Sequence, residues 1–156
     1  MMNAVVSDLK TIFSLDDDEN DSLLLESALK AAGFNGMLEF ASDVQDAIEF
    51  LSSERVSVPD LVLIDINMPR QNGFECLKWL RSHKALQNVP VAMFTTSSDP
   101  GEIAKAYECG ANWYLVKPLT YNELVSLAQA LCDCTEMSAE ALERLEAHPA
   151  YRPRPA

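Results

Sequence analysis

Positive charge is scarce in this chain: 12 Lys and Arg stand against 24 Asp and Glu, a formal net charge of −12. An acidic surface repels phosphate backbones and anionic lipid, so nucleic-acid binding and attachment to a membrane surface are excluded as first readings. No apolar window approaches the length of a membrane span, and residues 1–8 lack the charged-then-apolar layout of a signal peptide. A cytoplasmic protein is expected. Cys76, Cys109, Cys132 and Cys134 include no C-x-x-C pair, and His83 and His148 complete no zinc-ligand spacing with them. Reduced thiols are therefore expected. Internal repeats and low-complexity tracts are also missing. What is present is globular: 48% hydrophobic and 23% charged residues over 156 positions, enough for one domain with a sizeable core.

Short apolar runs rich in β-branched residues alternate with longer segments of helical period, the pattern of a parallel sheet covered by helices on both faces. The first strand reads Thr11-Ile12-Phe13-Ser14-Leu15. The helix after it is expected to turn Leu23, Leu24, Ala28, Leu29 and Ala32 inward before Gly33 stops it. A weaker strand covers residues 36–40, and Ser42 or Asp43 caps a helix carrying Val44, Ala47, Ile48 and Leu51. Leu61-Val62-Leu63-Ile64 is an unbroken apolar run suited to a central strand. A third helix spans residues 73–82, a fourth strand Val91-Ala92-Met93-Phe94, and Asp99-Pro100 opens a fourth helix. Trp113-Tyr114-Leu115-Val116 is the fifth strand, followed by a helix carrying Leu124, Leu127, Ala128 and Leu131. The fold class is thus α/β, a doubly wound five-stranded parallel sheet.

Ligands of an open parallel sheet bind outside the carboxyl ends of its strands, so the residues that follow each strand carry the information. Asp16, Asp17 and Asp18 follow the first strand, Asp65 the third, Thr95 and Thr96 the fourth, and Lys117-Pro118 the fifth. Each alone is ordinary: an Asp run caps helices, and a Thr pair satisfies loop backbone. Together they form an acidic pocket rimmed by a hydroxyl and an ammonium. Crowded carboxylates repel by about 4 kcal/mol per pair at about 4 Å and an effective dielectric of about 20. A hard divalent cation with oxygen ligands relieves this, and Mg²⁺ suits few carboxylates plus waters and phosphate oxygens.

These motifs fall in the order found in the receiver domains of two-component response regulators. The segments are Leu15-Asp16-Asp17-Asp18, Leu61 through Asp65 with Ile66-Asn67-Met68-Pro69, Gly73, Val89 through Thr96, and Gly110 through Pro118. Over residues 9–133 the chain resembles that family, and in finer detail its stand-alone members associated with phytochromes. The resemblance implies the flavodoxin-like strand order 2-1-3-4-5. It implies that Asp65 accepts a phosphoryl group from a phosphohistidine of a sensor histidine kinase or phosphotransfer protein. Asp16, Asp17, Asp65 and the carbonyl of Asn67 would hold Mg²⁺, and Lys117 and Thr95 would act on the transferred group. Thr95 and Tyr114 would form the switch, with Tyr114 swinging inward and the change read out on the face of helix 4, strand 5 and helix 5. A cis Lys117-Pro118 bond is implied as well.

Beyond 133, residues 134–156 are too few for a helix-turn-helix module and nearly neutral, so output is expected through contact with a downstream protein. This extension is expected to hold one short helix over residues 138–147, with Met137, Ala141, Leu142 and Leu145 on one side. Pro149, Pro153 and Pro155 prevent another helix. The apolar strip can dock on its own domain or across a homodimer beside Trp113 and Tyr114. Two other function classes compete with the receiver reading. One is a receiver-shaped interaction module that takes no phosphoryl group. The other, a flavin-phosphate binder, fails on charge, because a phosphate cradle wants amides or cations where this loop has three carboxylates.

Overall fold

A computed structural model describes residues 10–53 and 57–156. The reading of residues 1–8, and the domain start at residue 9, lie outside them. The elements in chain order are β1 (Thr11–Leu15), α1 (Glu19–Ala31), β2 (Met37–Ala41), α2 (Val44–Leu51), β3 (Leu61–Ile64), β4 (Asn67–Met68) and β5 (Gln71–Asn72). Then follow α3 (Gly73–Ser82), β6 (Val91–Thr95), α4 (Pro100–Glu108), β7 (Trp113–Val116), α5 (Tyr121–Cys134), α6 (Ala139–Glu146) and β8 (Tyr151–Arg152). The main sheet runs β2-β1-β3-β6-β7-β8, with parallel pairing through its first five strands and an antiparallel β8 at the edge. Five parallel strands in the order expected thus carry a sixth, two-residue strand that the sequence pattern does not announce. Flanking prolines and so short a pairing leave no periodicity to read.

Strand side chains alternate between two cores. Phe13, Leu15, Val62, Ile64, Met93 and Tyr114 face α2, α3 and α4, whereas Ile12, Leu61, Leu63, Phe94, Trp113 and Leu115 face α1, α5 and α6. Asp43 and Asp99 cap their helices as expected, each accepting a backbone N–H three residues on, and Ser138 does the same for the helix of the extension. Gly33 ends α1 with a φ of +93°, a conformation that favours glycine. One expectation fails in phase. Leu25, Ala28 and Leu29 are the buried residues of α1, while Leu23 and Leu24 are 58% and 47% exposed. The buried strip is i, i+3, i+4, with partly buried Ala32 completing the turn, and it begins two residues later than a count from the first leucine suggests.

The extension packs against its own domain. Ala141 and Leu145 are buried, and Leu145 shares a core with Trp113, Leu115, Leu127 and Leu131. Burying one leucine contributes roughly 1.5–3 kcal/mol, without which an eight-residue helix such as α6 would not persist. Met137 is 51% exposed and stands at a φ of 56° just before the cap, so it leaves the predicted strip. After α6 the chain turns back along β7, pairing Tyr114 with Arg152 and Leu115 with Tyr151. The Tyr107 hydroxyl of α4 donates to the Arg152 carbonyl at 2.6 Å, and the Arg154 guanidinium lies 5.3 Å from the Tyr107 ring centroid. Trp113 is core at 4% exposure.

His148 makes this docking sensitive to pH. Its Nδ1 accepts the Ala150 N–H at 3.1 Å, which places the ring proton on Nε2, 3.2 Å from Ser126 Oγ. Burial holds the imidazole below its ordinary pKa, with Glu123 opposing. The folded state therefore favours the neutral ring. That contribution is intact above the unfolded value of about 6.5 and is lost as pH falls through the lower folded value. Hydrogen-exchange protection at Val116, whose N–H donates to the Ala150 carbonyl, should drop on acidification from pH 7.5 to 5.5, and His148→Ala should flatten the dependence. Constant protection factors across that range would contradict the assignment.

Candidate functional site

The backbone ladder runs one residue past several strands and so fixes where the functional side chains start. The Asp16 N–H donates to the Ala41 carbonyl, the Asp65 N–H to Leu15, and the Lys117 N–H to Thr95. Asp16, Asp65 and Thr95 are buried at this edge. Gly73 lets the start of α3 lie against the Asp65 backbone, because a Cβ there would collide with the Asp65 carbonyl oxygen.

Three carboxylates converge as expected: ligand atoms of Asp16, Asp17 and Asp65 lie within 4.8 Å of one another. The Lys117 ammonium reaches in from the end of β7, donating to Asp16 Oδ2 at 2.6 Å and Asp65 Oδ2 at 3.3 Å. It does so through a trans peptide, since no peptide bond among the described residues is cis. The cis Lys117-Pro118 bond implied by the resemblance is thus absent, and the four-carbon stem of the lysine spans the distance. Asn67 lies beside the cluster, its N–H donating to Asp65 Oδ1 at 3.3 Å.

Asp18 departs from expectation. Asp18 caps α1, its side chain accepting the Asp21 N–H, and so stands apart from the three converging carboxylates. Asp21, which sequence reasoning passed over, takes a third bond from the Lys117 ammonium at 2.8 Å. Its signal in the sequence is faint: an acidic residue three after a cap ordinarily reads as helix-end chemistry.

Burial pushes the Asp16 carboxyl up from its ordinary value, and the Lys117 hydrogen bond opposes this. For Lys117, desolvation lowers the pKa, but hydrogen bonds to Asp16 and Asp21 and the charges of Asp65 and Asp16 outweigh it, and the net direction is upward. The amine is an ammonium throughout the physiological range.

Thr95 and Tyr114 meet at Ser97. The Ser97 N–H donates to Thr95 Oγ1 at 3.4 Å, and the Tyr114 hydroxyl donates to the Ser97 carbonyl at 2.9 Å. Tyr114 is fully buried, and desolvation raises its phenol to about 12. Its ring already occupies the inward position that the resemblance assigns to the end of a swing. On the far side of the cluster a cleft of about 650 Å³ is lined by Asp16, Asp17, Leu23, Glu26 and Phe40, among others.

Comparison with known proteins agrees with this geometry. The response regulator receiver domain family matches residues 12–129, and the chain belongs to that family. Among curated relatives, a probable methanogenesis regulatory protein, FilR2 of Methanothrix harundinacea, is 30% identical over 72% of this chain and 75% of its own length. Response regulator Rcp1 of Synechocystis is 29% identical over 78% of this chain and 86% of its own. The transcriptional regulatory protein GltR of Pseudomonas aeruginosa is 35% identical, but the chain spans only 48% of its length. Among solved structures, the phosphorylated cyanobacterial phytochrome response regulator RcpA superposes with a TM-score of 0.76 at 26% identity, covering 84% of this chain and 96% of that one. Receiver domains take phosphoryl groups from histidine kinases, signal to downstream partners and typically bind Mg²⁺. The donor set here, three hard carboxylates at one sheet edge, fits such an ion.

Removing the ammonium leaves Asp16 and Asp65 buried beside each other with nothing fixed to offset them. Lys117→Met should lower unfolding free energy at pH 7.5 in metal-free buffer by about 3 kcal/mol. Because Asp16 already binds its proton more tightly when folded, the deficit should shrink as pH falls into the carboxylate range. Paired urea titrations of wild type and variant at pH 7.5 and 4.5 check both the size and the sign.

Proposed function

We propose that this chain is a single-domain response regulator whose Asp65 accepts a phosphoryl group from the phosphohistidine of a sensor histidine kinase or phosphotransfer protein. The observation that carries the reading is the position of the Asp65 carboxylate, grouped with Asp16 and Asp17 and within 3.3 Å of the Lys117 ammonium. An Asp65 oxygen attacks in line, an O–P bond forms as the N–P bond breaks, and the imidazole nitrogen keeps the electron pair and takes a proton. Asp16, Asp17, Asp65 and the Asn67 carbonyl would hold Mg²⁺, which supplies positive charge to the transferred oxygens. Lys117 provides a second, fixed positive charge, and the Thr95 hydroxyl donates to a phosphoryl oxygen once it arrives. Two relatives support these roles by description: RcpA is known in a phosphorylated form and Rcp1 in a Mn²⁺-bound form.

In the same reading, the bonds of Thr95 and Tyr114 to Ser97 link phosphorylation to the face of α4, β7 and α5. Output then passes by contact to a downstream protein in the cytoplasm, with no nucleic acid or membrane involved. Residues 9–133 form the receiver and residues 134–156 an extension laid along that output face. A homodimer through this face remains one way to use it.

Two experiments test the proposal. With acetyl phosphate and Mg²⁺, intact mass should rise by one phosphoryl group in the wild type and stay unchanged in Asp65→Asn. A wild type that never gains the mass is instead a receiver-shaped interaction module. Millimolar Mg²⁺ should also raise the melting temperature, because the ion binds the folded cluster alone, and Asp17→Ala should remove most of the rise. An equal rise in that variant would place the ion elsewhere.

A further inference from the structure

Lys117 has three ammonium hydrogens and three carboxylate acceptors, but the acceptors are not equivalent. Asp16 and Asp65 belong to the group of carboxylates able to hold a metal ion; Asp21 does not. Its Oδ2 is nonetheless 2.8 Å from Lys117 Nζ, closer than Asp65 Oδ2 at 3.3 Å.

Local geometry explains why Asp21 is available. In a capping box the third residue of the helix folds its side chain back onto the N–H of the cap. Here Asp18 is the cap, and its N–H is already taken by Asp16 Oδ1 at 2.9 Å. The Asp21 carboxylate is left without its usual backbone partner and swings toward β7. α1 packs against α5, with Ser27 Oγ in the later half of α1 2.7 Å from the Tyr121 hydroxyl at the start of α5, and the first turn of α1 lies within reach of Lys117 just ahead of α5.

We propose that Asp21 is a positioning residue for Lys117. By taking one ammonium hydrogen it holds the amine at the rim of the cluster, in reach of Asp65 but not seated on it. The Asp65 oxygen then stays open to an incoming cation and phosphoryl group. Without Asp21 the ammonium, already on Asp16 at 2.6 Å, closes the longer 3.3 Å contact onto Asp65 and competes with a divalent ion for that carboxylate. This inference deepens the phosphoryl-acceptor reading and rests on it for its biological meaning, though the placement of the ammonium can be read without any phosphorylation.

The experiment compares Asp21→Asn, Asp21→Glu and Glu19→Gln in the unphosphorylated full chain. Glu19 lies in the same first turn of α1, so its variant removes the same charge as Asp21→Asn and controls for the general field. Two quantities are measured: Mg²⁺ affinity by calorimetry, and the ¹⁵N-edited resonance of the Lys117 ammonium in metal-free buffer. Asp21→Asn should weaken Mg²⁺ binding several-fold more than Glu19→Gln and shift the Lys117 signal, and Asp21→Glu should restore both in large part. A merely structural tie between α1 and α5 would lower the melting temperature and leave the Mg²⁺ affinity equal to that of the control. Equal affinities in Asp21→Asn and Glu19→Gln, an unmoved Lys117 signal, or no slowly exchanging ammonium in the wild type would each overturn the proposal. A wild type that takes no phosphoryl group from acetyl phosphate, while the Mg²⁺ and Lys117 responses hold, would overturn the functional reading and leave the positioning role standing.

Discussion

One ammonium group reconciles the sheet edge with itself. Asp16 and Asp65 are buried side by side because β1 and β3 are parallel neighbours that end together, and parallel pairing gives them no choice of placement. Their mutual repulsion is a constraint that the rest of the site answers. Lys117 comes from β7, two strands further along the sheet, and closes the cluster from the side. The glycine at the start of α3, the N–H of Asn67 and the first turn of α1 are arranged around that meeting of charges. Opposite charge here does more than neutralise: it fixes where the Lys117 ammonium sits relative to the Asp65 carboxylate.

Away from the site the fold is held by two separate cores, one on each face of the sheet, and they divide the labour. The core beneath α2, α3 and α4 contains Tyr114, whose hydroxyl touches the loop after β6. The core beneath α1 and α5 contains Trp113 and is completed by Leu145 of the extension. Adjacent residues of one strand therefore report to different surfaces. Ser97 is joined to the first core through the Tyr114 hydroxyl, while the neighbouring Trp113 sits among leucines in the second.

Much of this was legible from the sequence, for physical reasons that differ by element. Leu61-Val62-Leu63-Ile64 could only be a strand buried on both faces, and Asp99-Pro100 could hardly be anything but a helix entry. The clustering of Asp16, Asp17, Asp65 and Lys117 followed from strand order, since residues at neighbouring strand ends must meet. What escaped was whatever depends on a long-range partner with no local pattern. Leu23 and Leu24 look like core in a linear count and lie outside because Leu25 sets the seam. Asp18 caps α1 and Asp21 turns to Lys117, because Asp16 Oδ1 already takes the Asp18 N–H that Asp21 would otherwise accept. β8 is two residues long and exists only because β7 offers an unpaired edge.

That edge has a consequence for anything that would use it. An exposed last strand is a template for pairing with foreign chains, and this protein fills its own template with residues 151–152. Against a strand-adding partner the extension would act as a tethered competitor with a very high local concentration. A partner that adds a strand to β7 is opposed by a segment that never diffuses away, and its apparent affinity is its intrinsic affinity scaled by the fraction of molecules in which the segment is released. For such a partner, selectivity would depend on how firmly Leu145, Tyr107 and His148 hold the tail as much as on its own fit.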